Sequence, residues 1–597
     1  MMDLQYKQLE DYLISDQIET ANKFYNESNN EFKKVFYWEL ASLFCNNLNK
    51  HFDENRLCDE IGEFCLEASI DLCKNNYGNA REVILIYLEN SSKFQASEYK
   101  FLKFIEILKC ILISIPSKQL LYSLELSCDA IYNYIKGIEL PKDLNLSENE
   151  KQVFDHDLRV DRVLELTSAY IAFLDEFVIR NEGVEIRNHL LSRLINLFDW
   201  PFGYLNVEGL NKSCNDLKIN TVLDIDQNSD LNTNNTIKTI RTLFKVIIKF
   251  NLNLFSVINP DKFSKLEISK VASSVFSYII YSKHIGLELT RNTSYLPCVY
   301  SYIFIFEQVQ PLILCLLDQT NELFLLEKGL KLSYRLFTHV TLDAIYIDNT
   351  KFIDFYNSLF RLSIYTSFDL IRRLGGNLMN FIFSRFNSVD GRMGFLSYYL
   401  NYSLYKRSND DTFNSYVYSF IIYLFKNELL SFCTSKHVIT DNSVLRLFEN
   451  IYSKVFKLEN SVECDLMKNS NKITSTLNLL RFILMAEKLK NSRILELINK
   501  TNYLKDLEKA IQLSKAHYEL EMKNIKNNCE KLNKKENVEF EIENIKNGDI
   551  LDGTNKELSH EQKVDAMNIS LNTIDLIESL RVRCVELVEN LNKNNSN

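Results

Sequence analysis

DLRVDRVLELTSAYIAFLDEFVI, residues Asp157 to Ile179, decides what kind of chain this is. Val160, Val163, Leu166, Tyr170, Phe173 and Phe177 recur every three or four residues. That period lines one face of an α-helix, whereas a half-buried strand would alternate every second residue. Just upstream, DHDLRVD sets Asp155 and Asp157 on either side of His156, which resembles a carboxylate pair. Acids collect at helix N-termini because they accept from the free N–H groups there and complement the dipole. The cluster is therefore expected to cap this helix rather than to move protons.

The same period recurs along the chain. Near the C-terminus Val564, Met567, Leu571, Ile574, Ile577, Cys584 and Val588 mark one stripe of a long helix. With 14 Gly and 6 Pro in 597 residues, the chain has roughly a quarter of the turn formers of an average protein. Hairpins and β–α crossovers need those residues, so the fold expected is all-α. Its form is a stack of irregular HEAT-like helical repeats, an α-solenoid. At this length two helical domains are expected. They are placed at 1–203 and 239–597, joined by a polar linker or loop over 204–238 that contains DIDQNSDLNTNNTIK, with a charged excursion over 529–560. LPCVYSYIFIFEQVQPLILCLL, Leu296 to Leu317, is too interrupted to span a membrane, and is read as two buried helix segments meeting at Pro311.

Composition narrows the chemistry. The net charge of −10 is spread with both signs interspersed and without a basic stripe for phosphates, so no nucleic-acid partner is expected. MMDLQYKQLEDYL is acidic and amphipathic, unlike a signal peptide, and a cytoplasmic or nuclear location is expected, with no membrane partner. Thirteen cysteines are scattered without a CxxC pair. They suit buried reduced thiols, with a redox-sensing cysteine as the sharper alternative. Cys433 and His437 could share a metal on one helix face but are two ligands short of a site. Gly375-Gly376 lacks the spacing of a phosphate loop, and no HExxH, nucleophile elbow or kinase signature is present. Neither catalysis nor a cofactor is expected. LFDWPFGYL, Leu197 to Leu205, ends a helix at Pro201, where the aromatics can staple the turn.

AIQLSKAHYELEMKN, Ala510 to Asn524, concentrates His, Tyr, Glu and Lys on one helix. Leu504, Leu507, Ile511, Ser514, Tyr518, Met522 and Ile525 form its apolar stripe, which assigns Tyr518 to the packed face. Lys515, His517, Glu519 and Glu521 belong to other faces.

This stretch resembles the glomulin family, which includes the plant ALF-four and yeast Yap-binding proteins. Three blocks carry the likeness: TLNLLRFIL (Thr476 to Leu484), LSKAHYELEMKN (Leu513 to Asn524) and SLNTIDLIESLRVRCVELVE (Ser570 to Glu589). Weaker similarity runs through VASSVFSYIIY (Val271 to Tyr281), EKGLKL (Glu327 to Leu332) and the segment from Ile371 to Leu400. The resemblance implies a HEAT-like protein that is not an enzyme. It also implies a partner, the RING domain of the RING-box subunit of a cullin-RING ubiquitin ligase, together with its cullin. Covering the surface where the charged E2 docks would inhibit ubiquitin transfer, with the chain a monomer before it joins the complex. The residues it points to for RING contact are Arg372, Arg373, Asn478, Arg481, Lys515, His517, Glu519 and Glu521. Two other readings stay open: a redox-responsive cofactor that binds a transcription factor, as in the yeast relatives, and a generic helical adaptor.

Overall fold

The computed structural model describes residues 2–51, 60–141, 157–207, 235–250, 266–281, 300–404, 411–434, 442–486, 502–532 and 560–595, apart from a few isolated positions. Among them every regular element is helical, and the fold is an all-α, HEAT-like helical stack. The chain divides into two compact units. One comprises Met1–His339 with Ser367–Leu374, the other Val340–Thr366 with Gly375–Asn597.

The first unit begins with α1 (Met2–Ile14), α2 (Ile18–Glu27), α3 (Asn30–Val35), α4 (Tyr37–His51), α5 (Glu60–Lys74), α6 (Ala80–Glu89), α7 (Ser91–Phe94), α8 (Glu98–Ile113) and α9 (Ser117–Gly137). It continues through α10 (Leu158–Arg180), α11 (Val184–Asn196), α12 (Asn235–Ile248), α13 (Lys270–Ile280), α14 (Tyr302–Leu317) and α15 (Leu323–Thr338). The division falls inside the helix Asp369–Phe383, after Leu374. Helices pack on their successors and on the next but one: α8 on α9 and α10, α10 on α11 and α12, α13 on α14 and α15. This is how a repeat stack buries faces that no single helix could bury alone.

All six apolar residues expected on one face of α10 are buried. Asp157 is its N-cap, accepting from the Arg159 backbone N–H at 2.8 Å. Hydrogen bonds from Arg159 hold its carboxyl below the usual range. Asp155 and His156 lie outside the described residues.

One expectation changes. Tyr302–Leu317 is one helix with Pro311 inside it, not two segments. A proline in a helix interior costs about 3 kcal/mol. Here Phe306, Val309, Leu312, Ile313 and Leu316 are buried on both sides of it, and that packing outweighs the lost hydrogen bond. The compact units divide near residue 340, and in the first of them α12 lies on α10 and α13 lies on α11. Of the expected linker over 204–238, residues 208–234 lie outside the described residues, as do 142–156 and most of 529–560.

At the end of α11, LFDWPFGYL forms the tight turn expected of it. Phe198 and Phe202 are fully buried, and the Trp200 indole N–H donates to the Ile135 carbonyl at 3.2 Å. Gly203 is required here, since a Cβ would come within 2.5 Å of the Asp199 carbonyl oxygen. The buried Lys328 of α15 then donates to the carbonyls of Gly203 (2.8 Å) and Leu205 (2.7 Å). A turn that leaves its carbonyls away from water needs such a donor.

The second unit contains α16 (Thr350–Tyr365), α17 (Asp369–Phe383), α18 (Val389–Leu404), α19 (Asp411–Thr434), α20 (Asn442–Val455), α21 (Ser470–Met485), α22 (Tyr503–Leu532) and α23 (His560–Asn595). Tyr356, Phe395 and Tyr399 are packed ring to ring at its centre, with centroids 4.8–5.4 Å apart. The Tyr356 hydroxyl donates to the Met379 carbonyl at 3.0 Å, as a buried tyrosine must.

Candidate functional site

Six of the eight residues that the sequence singles out lie on α21 and α22, which α23 joins. α23 packs on both of the others. Of the stripe read from the sequence on α22, Leu507, Ile511 and Met522 are buried and Leu504, Ser514 and Tyr518 are half-buried, with Tyr503 and Ala510 buried beside them. On α23, Met567, Ile574, Ile577 and Cys584 are buried.

Ion pairs fix the register of the two long helices. Glu508 meets Arg581 at 3.3 Å. Lys515 meets Asp575 at 2.6 Å and Glu578 at 2.5 Å. The later residue of α22 pairs with the earlier residues of α23, so α22 and α23 run antiparallel. The Asp575 and Glu578 carboxylates hold the Lys515 ammonium above the ordinary lysine range. Lys515 is thus engaged within the molecule.

Arg481 is half-buried on α21. It lies near the Cys584 thiol, where its charge partly offsets the burial that pushes that thiol up to about 11. The thiol itself lies 3.6 Å from the Leu477 carbonyl and pins α23 to α21. Asn478 is exposed one turn away.

His517 and Glu519 point outward, and Glu521 is partly exposed. His517 Nε2 is 3.7 Å from Glu521, and its ring lies beside Tyr518 with centroids 5.7 Å apart. Arg372 and Arg373 are exposed on α17, and Arg372 pairs with Asp369 one turn earlier. Those three fall in the segment grouped with the first unit. The other six candidates belong to the second.

Sequence reading missed the apolar part of this surface. Leu513 and Leu520, seven residues apart on α22, are 56% and 60% exposed. Ile569 and Leu576, seven apart on α23, are 64% and 55% exposed. The 100° turn per residue sets Leu513 and Leu520 about opposite Ile511 and Met522. The available signal was a second apolar pair at helical spacing, off the buried stripe. Exposed aliphatics paired at helical spacing on neighbouring helices suit contact with another protein.

Other chemistry is sparse. Among the described residues no group of His, Cys, Asp and Glu could hold a metal, and no helix is long and apolar enough to cross a membrane. The Cys433–His437 pair lies outside the residues whose side chains are described. Six of the eight described cysteines are buried and two are half-buried. Burial pushes the Cys45, Cys73 and Cys128 thiols up to about 12. The half-buried Cys110 and Cys315 are also raised.

Sequence comparison agrees with the motif reading. The chain is similar to mouse (Mus musculus) glomulin, 25% identical over 346 residues, covering 56% of this chain and 53% of that protein. It is similar to human (Homo sapiens) glomulin, 24% identical over 350 residues, covering 57% and 54%. The chain thus spans about half the length of the curated relatives it matches, and it is glomulin-like. No protein-family model matches it. The solved structure of SYS-1 aligns over 86% of this chain and 81% of its own at 10% identity, with a TM-score of 0.27. The fold assignment therefore rests on the helix packing described above.

Proposed function

We propose that this glomulin-like chain is a non-catalytic binding protein whose last helices dock on the RING domain of a cullin-RING ligase's RING-box subunit. It covers the E2-docking surface and inhibits ubiquitin transfer by occlusion. What supports the reading is one observation above the rest. The helices built from the two last glomulin-like blocks are locked in register, and α22 carries Leu513 and Leu520 outward among His517 and Glu519. The resemblance implies a RING partner with a groove in which the E2 docks. A rigid helix with two aliphatic anchors and a polar rim is a fitting competitor, because a few central anchors supply most of an interface's affinity. Lys515 and Arg481 act in this account by holding α22, α23 and α21 together, and His517, Glu519 and Glu521 form the rim.

The redox-cofactor reading needs a reactive thiolate, and the thiols that burial raises do not favour one. The test is capture of purified cullin–RING-box complex by the full chain, followed by a ubiquitin-chain assay. Binding with dose-dependent loss of chain formation is expected. Absence of binding at micromolar concentration overturns the reading.

A further inference from the structure

A second surface lies on the same unit, along the seam where α19 meets α21. Ser419 of α19 donates to the Asn471 carbonyl at 3.4 Å, and the Lys426 ammonium sits 5.5 Å over the Phe482 ring. Seven residues along α19 thus correspond to eleven along α21 in the same direction, so the helices run parallel. The buried hydrogen bond between Tyr418 and Thr476, 3.0 Å, ties the seam from beneath.

Above it opens a cleft of about 370 Å³ lined by Thr412, Tyr416, Ser419, Asn471, Thr474 and Ser475, with Ile364 as its one apolar side chain. Every lining group except Ile364 bears a hydroxyl or an amide, and none is charged. The exposed positions continue beyond the cleft as Tyr423 on α19, 48% exposed, and Asn478 on α21.

Within the protein the side chains of Asn471, Thr474, Ser475 and Asn478 make no hydrogen bond among the described residues. They recur once per helical turn, ~5.4 Å. One edge of an extended chain presents its N–H and C=O groups every ~6.6 Å, so a peptide laid along the seam meets an amide or a hydroxyl at nearly each repeat. Asparagine supplies both a donor and an acceptor for such a backbone.

The charges at the two ends differ. Asp411 and Lys468 neutralise one another at 2.6 Å at the start of the seam. Lys426, at the far end, has no carboxylate partner among the described residues.

We infer that the α19–α21 seam is a peptide-binding groove for an extended partner segment with small or hydroxyl-bearing residues, its acidic end toward Lys426. Asn478 then belongs to this groove rather than to the RING-facing surface. The inference does not depend on the RING reading.

The test uses the full chain and two fluorescein-labelled peptides of alternating serine and threonine, one ending in Glu-Asp and one in Lys-Lys, read by fluorescence anisotropy. The acidic peptide is expected to bind saturably, at least about tenfold more tightly than the basic one, a gap of about 1.4 kcal/mol. Lys426→Glu should reverse that preference. Ser475→Tyr, which fills the cleft, should abolish binding of both peptides while the melting curve and RING-box capture stay unchanged. The inference is overturned if the acidic peptide fails to bind, if neither substitution alters binding, or if Lys426→Glu weakens both peptides equally. Loss of RING-box capture by Ser475→Tyr without any peptide binding would overturn it too, and would give the seam to the RING instead.

Discussion

The turn at Gly203 and the pair of helices α22 and α23 handle polarity in opposite ways. At the turn, a charged side chain is buried and spent on the chain itself, with the Lys328 ammonium feeding the carbonyls of Gly203 and Leu205. On α22 the apolar side chains of Leu513 and Leu520 are left in solvent while Lys515 is drawn into a cluster of carboxylates. Burying a charge is costly unless its partners are complete, and exposing leucine forgoes burial energy. The first arrangement is explained by folding alone. The second leaves apolar surface that folding does not use, which is what a docking surface requires.

Substitutions should therefore separate the two regions by what they damage. Lys328→Met is the largest expected effect. It strands two buried carbonyls and should lower stability by about 3 kcal/mol in chemical denaturation. Leu513→Asp with Leu520→Asp should do the reverse. Stability should stay within about 0.5 kcal/mol, while RING-box affinity falls by about 2 kcal/mol, roughly thirtyfold by titration calorimetry. If the double variant unfolds instead, those leucines are part of the core and the contrast fails.

A titratable group in the first unit sharpens the comparison further. Burial, reinforced by Arg193, depresses His189 to about 4, although Asp129 opposes it and Glu125 lies 3.8 Å from its ring. An unfolded histidine titrates near 6.5. The folded value is the lower one, so the stabilising contribution is complete above about 6.5. It is lost as pH falls from there toward 4. The denaturation free energy of the wild type relative to His189→Gln should fall by about 2 kcal/mol between pH 7.5 and 5.

Lys515→Ala removes two part-exposed ion pairs and should cost only about 1 kcal/mol. Its RING-box affinity should change little if the register of α22 and α23 survives. A loss as large as that of the leucine pair would make Lys515 a direct contact.

What the sequence disclosed follows from the range of the forces involved. The stripes of α10, α22 and α23 and the Asp157 cap arise from neighbours within a turn or two, so periodicity and capping rules reach them. Pro311 defeats those rules because packing from elsewhere carries the helix through it. Lys328 binds carbonyls more than 120 residues away, and Lys515 finds Glu578 63 residues on. No local pattern contains either pairing. Leu513 and Leu520 were visible as residues, yet their exposure depends on what fails to pack against them. For the same reason the resemblance in the SKAHYE block located the candidate surface, while only the packing divided it into side chains that latch and side chains that face outward.

The most direct test of the occlusion account is a competition titration. The full chain is titrated into purified cullin–RING-box complex at increasing concentrations of E2. The account predicts that the apparent Kd rises linearly with E2 concentration, by the factor one plus the E2 concentration over its own Kd, as two ligands excluding each other from one surface require. An affinity that E2 leaves unchanged, or the absence of binding at micromolar concentration, would contradict it.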